Sequence, residues 1–461
     1  MNANRSEDQM MREQGSKRAL SRRKLLRLGG QGGLLLIAGA LVPAGVARIV
    51  TQLGAEQAGA ARRALSPALG EGALSVASSP AIVEKRLVAT DGFIKLIGRE
   101  DNPLYVFGFS EAALGVPPNA LDALKGHVQA PSPIIWVDED DELRLTVTNI
   151  GLVVRPDLDD AHTVHWHGFR NQIAIMDGVP ELSISIPPGS DFPYVYRPRE
   201  EGTYFYHCHF EDVEHIQMGM VGIIFVRPAQ NKTPLNPGEV YAYNDGDGST
   251  RYDREFALLI QDVWTTPHDN LAAIQETVWS DYKANYWVSN GRAYPDTLKP
   301  NNAWFGQLAE PGADPDLENQ PISSLIQVNE EEVVLLRLVN LGYEQHAMQL
   351  PGIAMKVIGE DATWLGPKGS GNPAYAQPVR GDTTYFTNVV YIGPGESRDV
   401  LFTAPQHSGG SGPDVYLFRN RNLNKCVNTG VAGLGGMATE VRVYPTATVD
   451  PQAYPNQTFP L

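Results

Sequence analysis

Gly202-Thr203-Tyr204-Phe205-Tyr206-His207-Cys208-His209 is the stretch whose reading decides the fold. Thr203 to Tyr206 carry the β-branched and aromatic side chains of a short strand, and the last three residues are all metal-ligand types. Working outward, Val221 to Val226 reads as another strand and Tyr194-Val195-Tyr196 as a third, with Pro187-Pro188-Gly189 marking a turn. Upstream, Leu143-Arg144-Leu145-Thr146-Val147-Thr148 alternates apolar and polar residues, as a half-buried strand does. Ile134-Ile135-Trp136-Val137 precedes it across an acidic turn. Short strands separated by close-set turn residues favour an all-β Greek-key sandwich over an alternating α/β fold.

The second half repeats this order. Val333-Val334-Leu335-Leu336-Arg337-Leu338-Val339-Asn340 echoes the strand that ends at Asn149. Ile392-Gly393-Pro394-Gly395-Glu396-Ser397 echoes Ile186-Pro187-Pro188-Gly189-Ser190-Asp191, and Glu440 to Tyr444 closes the region as Val221 to Val226 closes the first. A strand ending in Asn, then a Pro-Gly turn, then a final strand, found twice, reads as duplication of one sandwich. The expected organisation is a signal segment at 1–50, a linker at 51–81, a sandwich at 82–228, a polar connection at 229–254, a second sandwich at 255–446 and a tail at 447–461.

Composition narrows the function. A net charge of -16 argues against nucleic acid and against an anionic membrane surface, while permitting a basic redox partner. Two cysteines, Cys208 and Cys426, cannot form a disulfide framework, and a bridge between them would consume Cys208, for which its neighbours give another role. Cys426 is expected to be a free thiol. At the N-terminus, Ser21-Arg22-Arg23-Lys24-Leu25-Leu26 resembles a twin-arginine motif, and the apolar stretch from Gly32 to Val46 suits the core of an export signal. That route carries folded proteins, which fits a chain that takes up its cofactor before export to the periplasm, cell surface or medium.

Six of the ten histidines fall between His162 and His215, in two bursts. The first is His162-Thr163-Val164-His165-Trp166-His167. The second is His207-Cys208-His209, followed by His215, Met218 and Met220. On a strand, His-x-His spacing puts both imidazoles on one face, and two such pairs on neighbouring strands converge four nitrogen ligands, a donor set that copper favours. Trp166, between two of them, should face the core. A second site shares the same backbone: His162, Cys208, His215 and a methionine form the His-His-Cys-Met set of a blue-copper centre, with Met220 preferred to Met218 as the long axial ligand. Copper would hold Cys208 as the thiolate. Cys208 then serves one site while His207 and His209 serve the other, a short covalent path for electrons.

These motifs make residues 130 to 228 similar to a multicopper oxidase domain. His165-Trp166-His167-Gly168, Asp177-Gly178-Val179-Pro180, Pro188-Gly189, Gly202 to His209 and Gly219-Met220 follow that family's layout. The resemblance implies tandem cupredoxin-type domains. It implies a type 1 blue copper held by His162, Cys208, His215 and Met220, which takes electrons from a donor. It also implies that His165, His167, His207 and His209 are half of a type 2/type 3 cluster reducing oxygen, with Asp177 and Glu211 at positions where the family places proton-delivering acids. The second half departs from the pattern. Gln349 and Pro351 stand where histidines would be, and Asn420-Arg421-Asn422 stands where another His-x-His would be. The missing half of the cluster must then come from a second copy, from another protein, or not at all; an isologous pairing of first domains would bring four His-x-His pairs together.

The reading that follows is a copper oxidoreductase. The alternative is a type 1 electron carrier or copper-binding protein, favoured by the depleted second domain. Copper nitrite reductases share the two-domain layout and the blue site, but have Asp where His165 stands and no His at the position of His209. His127, His268, His346 and His407 have no partners in sequence and read as structural. The electron donor, a small molecule or a protein, is not readable.

Overall fold

The computed structural model describes residues 80–170, 173–304, 306–367 and 381–459. The export segment at 21–46 and nearly all of the 51–81 linker lie outside the described residues. The first sandwich is built from β1 (Ile82–Ile94), β2 (Leu104–Glu111), β3 (Ile135–Asp138), β4 (Glu142–Asn149), β5 (His165–His167), β6 (Asp191–Tyr196), β7 (Gly202–His207) and β8 (Val221–Arg227). One sheet runs β2-β1-β4-β6 and the other β3-β8-β7-β5. The alternation read at 143–148 does what a period of two requires: Leu143, Leu145 and Val147 are fully buried and Arg144 is exposed.

β9 (Val240–Tyr241) and β10 (Arg251–Tyr252) form a small ribbon. The second sandwich then follows, with β11 (Arg254–Val263), β12 (Tyr286–Ser289), β13 (Ile326–Asn329), β14 (Val333–Asn340), β15 (His346–Gln349), β16 (Met355–Glu360), β17 (Thr363–Trp364), β18 (Tyr385–Thr387), β19 (Val389–Ile392), β20 (Glu396–Thr403), β21 (Asp414–Asn420) and β22 (Ala438–Tyr444). Its sheets are β12-β11-β14-β20-β16-β17, with β18 on β16, and β13-β22-β21-β15-β19.

The duplication reaches individual pairings. β1 runs parallel to β4 and β11 parallel to β14; β3 runs parallel to β8 and β13 parallel to β22. Asn149 and Asn340 explain why a strand-ending Asn occurs twice. Asn149 Oδ1 accepts from Gly151 N and Asn340 Oδ1 from Gly342 N, each at 2.9 Å, and each Asn Nδ2 bonds the next turn. Asp91 and Asp262 likewise each accept two backbone N–H groups from the loop that follows, at 153–154 and 343–344.

The two sandwiches share a core. Phe205, Ile223 and Phe225 pack with Ala257, Leu259 and Val339. Beside it, Arg337 is fully buried, bonds Glu255 at 2.8 Å and Thr203 Oγ1 at 3.0 Å, and lies over the Phe225 ring. The connection at 229–254 is packed rather than loose. Tyr241, Ala242 and Tyr243 are buried, and the Tyr243 hydroxyl donates to Asp399. Its polar residues, read as linker composition, instead satisfy buried backbone: Asp245 accepts from Thr250 and Gly248. The tail is also anchored. Asn456 exchanges two hydrogen bonds with the backbone of Ala257, at 2.8 and 2.9 Å.

Candidate copper centres

β5 and β7 are paired with His165 opposite His207 and His167 opposite Phe205. This register brings the two histidine bursts together. His162 sits just before β5, bridged to Ile186; Cys208 leaves the end of β7; and His215 lies on α1 (Asp212–Met218). The helix returns the chain so that Met220 closes against the cysteine. Cys208 N donates to Met220 O at 3.0 Å, and Met220 N donates to His215 O at 2.9 Å.

The result is a sealed cluster. His162, Cys208, His215 and Met220 are all 0% exposed. The Nδ1 atoms of His162 and His215 face Cys208 Sγ at 3.8 and 3.2 Å. One ligand atom from each of the three lies within 4.8 Å of the others, close enough for a single ion. Thr163 N–H also points at the sulfur, at 3.5 Å. Burial raises the Cys208 thiol, but the charge of His215 and hydrogen bonds from His162 and His215 outweigh it and bring it down to about 5. Burial conversely lowers His215, but the thiolate and Asp160 push it up to about 10. A thiolate with two imidazole nitrogens is a donor set copper favours, so these residues fit the metal the sequence calls for.

The second cluster is more open. His165, His167 and His207 each bring one ligand atom within 4.8 Å of the others. His209 stands at their edge, its ring 5.1 Å from that of His165. His165 Nδ1 lies 2.7 Å from Asp177 O and His207 Nδ1 lies 2.8 Å from Cys208 O. A carbonyl can only accept, so both Nδ1 atoms carry the proton and both Nε2 atoms keep a lone pair. The two clusters thus present opposite ring nitrogens. Burial lowers His207 to about 3 and His167 to about 4, and lowers His165 as well, so these rings are neutral and free to ligate. Trp166 faces away as expected, 1% exposed and stacked on Tyr196.

The acids separate. Asp177 Oδ1 is 3.6 Å from His165 Nδ1, beside the open cluster. Glu211 is exposed in a left-handed turn (φ 49°) and groups with Asp160 and His215, on the side of the sealed cluster. Sequence reasoning missed Asp160, whose Oδ2 lies 3.8 Å from His215 Nε2; the only signal for it was its place after the repeated Asn149. Of the remaining histidines, His268 is buried on Tyr105 O, His346 is paired with Asp262, and His407 bonds Gly412 O. Cys426 is a buried free thiol, raised by burial.

The second sandwich shows what replaces ligands there. β15 and β21 pair Gln349 with Arg419 and Met348 with Asn420. Gln349 therefore holds the place of His165, as the sequence indicates, and Pro351 that of His167. On the other strand the structure shifts the sequence alignment by one residue. Arg419 and Arg421 stand for His207 and His209, and Asn420 stands for Cys208.

The sequence model of the multicopper oxidase family matches residues 124–231, the segment that holds both clusters. That segment of the first sandwich is similar to a multicopper oxidase domain. Copper resistance protein A of Escherichia coli is 25% identical over 260 residues, 51% of this chain and 38% of that protein. Laccase-5 of Arabidopsis thaliana is 25% identical over 281 residues, 60% of this chain and 38% of its own. The match spans well under half the length of either relative. A solved blue copper oxidase from Nitrosomonas europaea superposes with a TM-score of 0.54 and 23% identity, covering 78% of this chain and 86% of that one, which shows the shared cupredoxin-type fold. Among the described residues no helix is long and apolar enough to cross a membrane.

Proposed function

We propose that this chain is a copper-dependent oxidoreductase in which His162, Cys208, His215 and Met220 hold a type 1 copper, while His165, His167, His207 and His209 supply half of a type 2/type 3 site. Bound copper would supply one-electron oxidation of a donor at the first site and oxygen reduction at the second. The protein's part is to hold the sealed cluster rigid, to keep water from it, and to join it to the open one. The observation that carries this reading is the join. Cys208 and His207 are consecutive, and His207 Nδ1–H donates to the Cys208 carbonyl at 2.8 Å. Asp177, 3.6 Å from the His165 ring, is the better-supported acid for proton delivery; Glu211 keeps company with His215 and would act on the donor side.

Completion of the second site needs ligands from elsewhere, because Gln349, Pro351, Arg419 and Arg421 stand where the other ligands would be. We assign the missing half to the first sandwich of a second copy. β5 ends its sheet and the His209 side chain is 29% exposed, which supports a contact there. The alternative reading is an electron carrier with no turnover. Export by the twin-arginine route belongs to the proposal as well.

Copper content per chain, the visible spectrum and oxygen uptake with a phenolic donor test these readings together. More than two coppers per chain with oxygen uptake supports the oxidase. One copper, an intense visible band and no uptake would replace it with the carrier.

A further inference from the structure

The internal repeat supplies counterparts in the second sandwich for the ligand-type residues around Cys208. Asn149 Nδ2 donates to Ile186 O and Asp160 O; Asn340 Nδ2 donates to Ile392 O and Glu344 O. Glu344 therefore stands where Asp160 stands. His162 is bridged to Ile186, and His346 is paired with Ile392. Cys208 N donates to Met220 O at 3.0 Å, and Asn420 N donates to Met437 O at 2.9 Å. The carboxylate of Asp160 faces His215 Nε2 at 3.8 Å, and that of Glu344 holds Lys425 Nζ at 2.6 Å. His346, Asn420, Lys425 and Met437 thus repeat His162, Cys208, His215 and Met220 position for position.

Two of the four positions have changed chemistry. His346 Nε2 donates to Asp262 Oδ1 at 3.1 Å, which leaves a lone pair on Nδ1, the atom that faces the sulfur in the first sandwich. Asn420 Nδ2 donates to that lone pair at 3.1 Å and reaches Met437 Sδ at 3.4 Å. Lys425 Nζ lies 3.4 Å from the same Nδ1 and also donates to Gln345 O at 3.0 Å. An ammonium is a compact cation with three donors. It meets the imidazole as a metal would, and its charge repels one.

We infer that the second sandwich retains a mononuclear metal pocket in which the ammonium of Lys425 takes the ion's place. The same contacts make Met437 the partner of Asn420, which supports Met220 over Met218 opposite Cys208. The pocket is closed to copper by Lys425 and by the loss of the thiol, and two substitutions reopen it. The inference rests on the copper reading of the first sandwich only for what the pocket once resembled.

The test compares full-length Asn420→Cys/Lys425→His with the wild-type chain, both loaded with copper. The variant is expected to bind one further copper per chain and to gain intensity in the thiolate–copper visible band. The readout is the difference between the two proteins. A wild-type chain without any band counts against the first-sandwich reading alone, whereas a folded variant with no added copper overturns this one. Because the variant leaves Glu344 without its cation, a second measurement uses the wild-type chain. Copper-edge anomalous scattering from copper-soaked crystals is expected to show no peak at His346 Nδ1, and a peak there overturns the inference.

Discussion

His165 Nδ1 lies 2.7 Å from the backbone carbonyl oxygen of Asp177, and that contact fixes which nitrogen of His165 can ligate. The carbonyl is held there by the next residue. Gly178 has φ +76°, and a Cβ at this position would sit 2.0 Å from Val164 O, against the strand that carries the histidine. Gly178→Ala is expected to cost about 1–3 kcal/mol through strain. It should also lower copper in the open cluster while leaving the Cys208 band in place. Metal content and the visible spectrum of one sample check both effects.

Cys208→Ser keeps the shape of the sealed cluster and removes its thiolate. The intense visible band should vanish, along with any oxygen uptake. Retention of copper by His165, His167 and His207 is expected, and metal analysis of the variant measures it. A variant that keeps the band would sink the assignment of the cysteine.

Arg337 sits where the sandwiches meet: its ion pairs lie within the second, and it donates to Thr203 of the first. It is 0% exposed and lies 2.8 Å from Glu255 and 3.4 Å from Asp399, both 2% exposed. Removing it takes from Asp399 the cation it pairs with and leaves Glu255 with Arg227 alone, so Arg337→Ala should destabilise the protein by about 3–5 kcal/mol. Chemical denaturation at neutral pH measures the loss. A change within about 0.5 kcal/mol would mean the pair carries no net weight.

Glu201 gives a pH dependence. Burial, with the nearby charge of Glu139, raises its carboxyl from 4.5 to about 7, and its Oε2 has no hydrogen-bond partner. Between these values the folded chain binds more proton than the unfolded one, so stability falls as pH rises from 4.5 to about 7. The full effect is roughly 3 kcal/mol at about 1.4 kcal/mol per pH unit. Glu201→Gln should flatten this part of the profile, as thermal melts across that range will show.

The histidine bursts and the repeated strand-Asn order were legible because ligand spacing and strand alternation are local. The contacts that complete the site are not local. Asp160 meets His215 across 55 positions in the chain, and Lys425 reaches His346 from 79 residues away. The alignment error of one residue at Asn420 has the same root: register is set by pairing with β15 and β22, which the strand's own sequence does not encode. Glu211 left its expected company because the chain turns through a left-handed conformation there, ahead of α1. The stretch at 229–254 looked like a linker because its polar residues satisfy backbone from within.

The unequal exposure of the two clusters sets an order of assembly. His162, Cys208, His215 and Met220 leave solvent no approach, whereas the His165 and His209 side chains are 16% and 29% exposed. An ion in the inner cluster would have to enter before the segment that carries α1 and His215 packs over it, and could leave only if that packing were undone. The outer cluster can load, exchange and be stripped by a chelator with the fold closed, so metal history, and not only metal supply, determines which form of the protein is present.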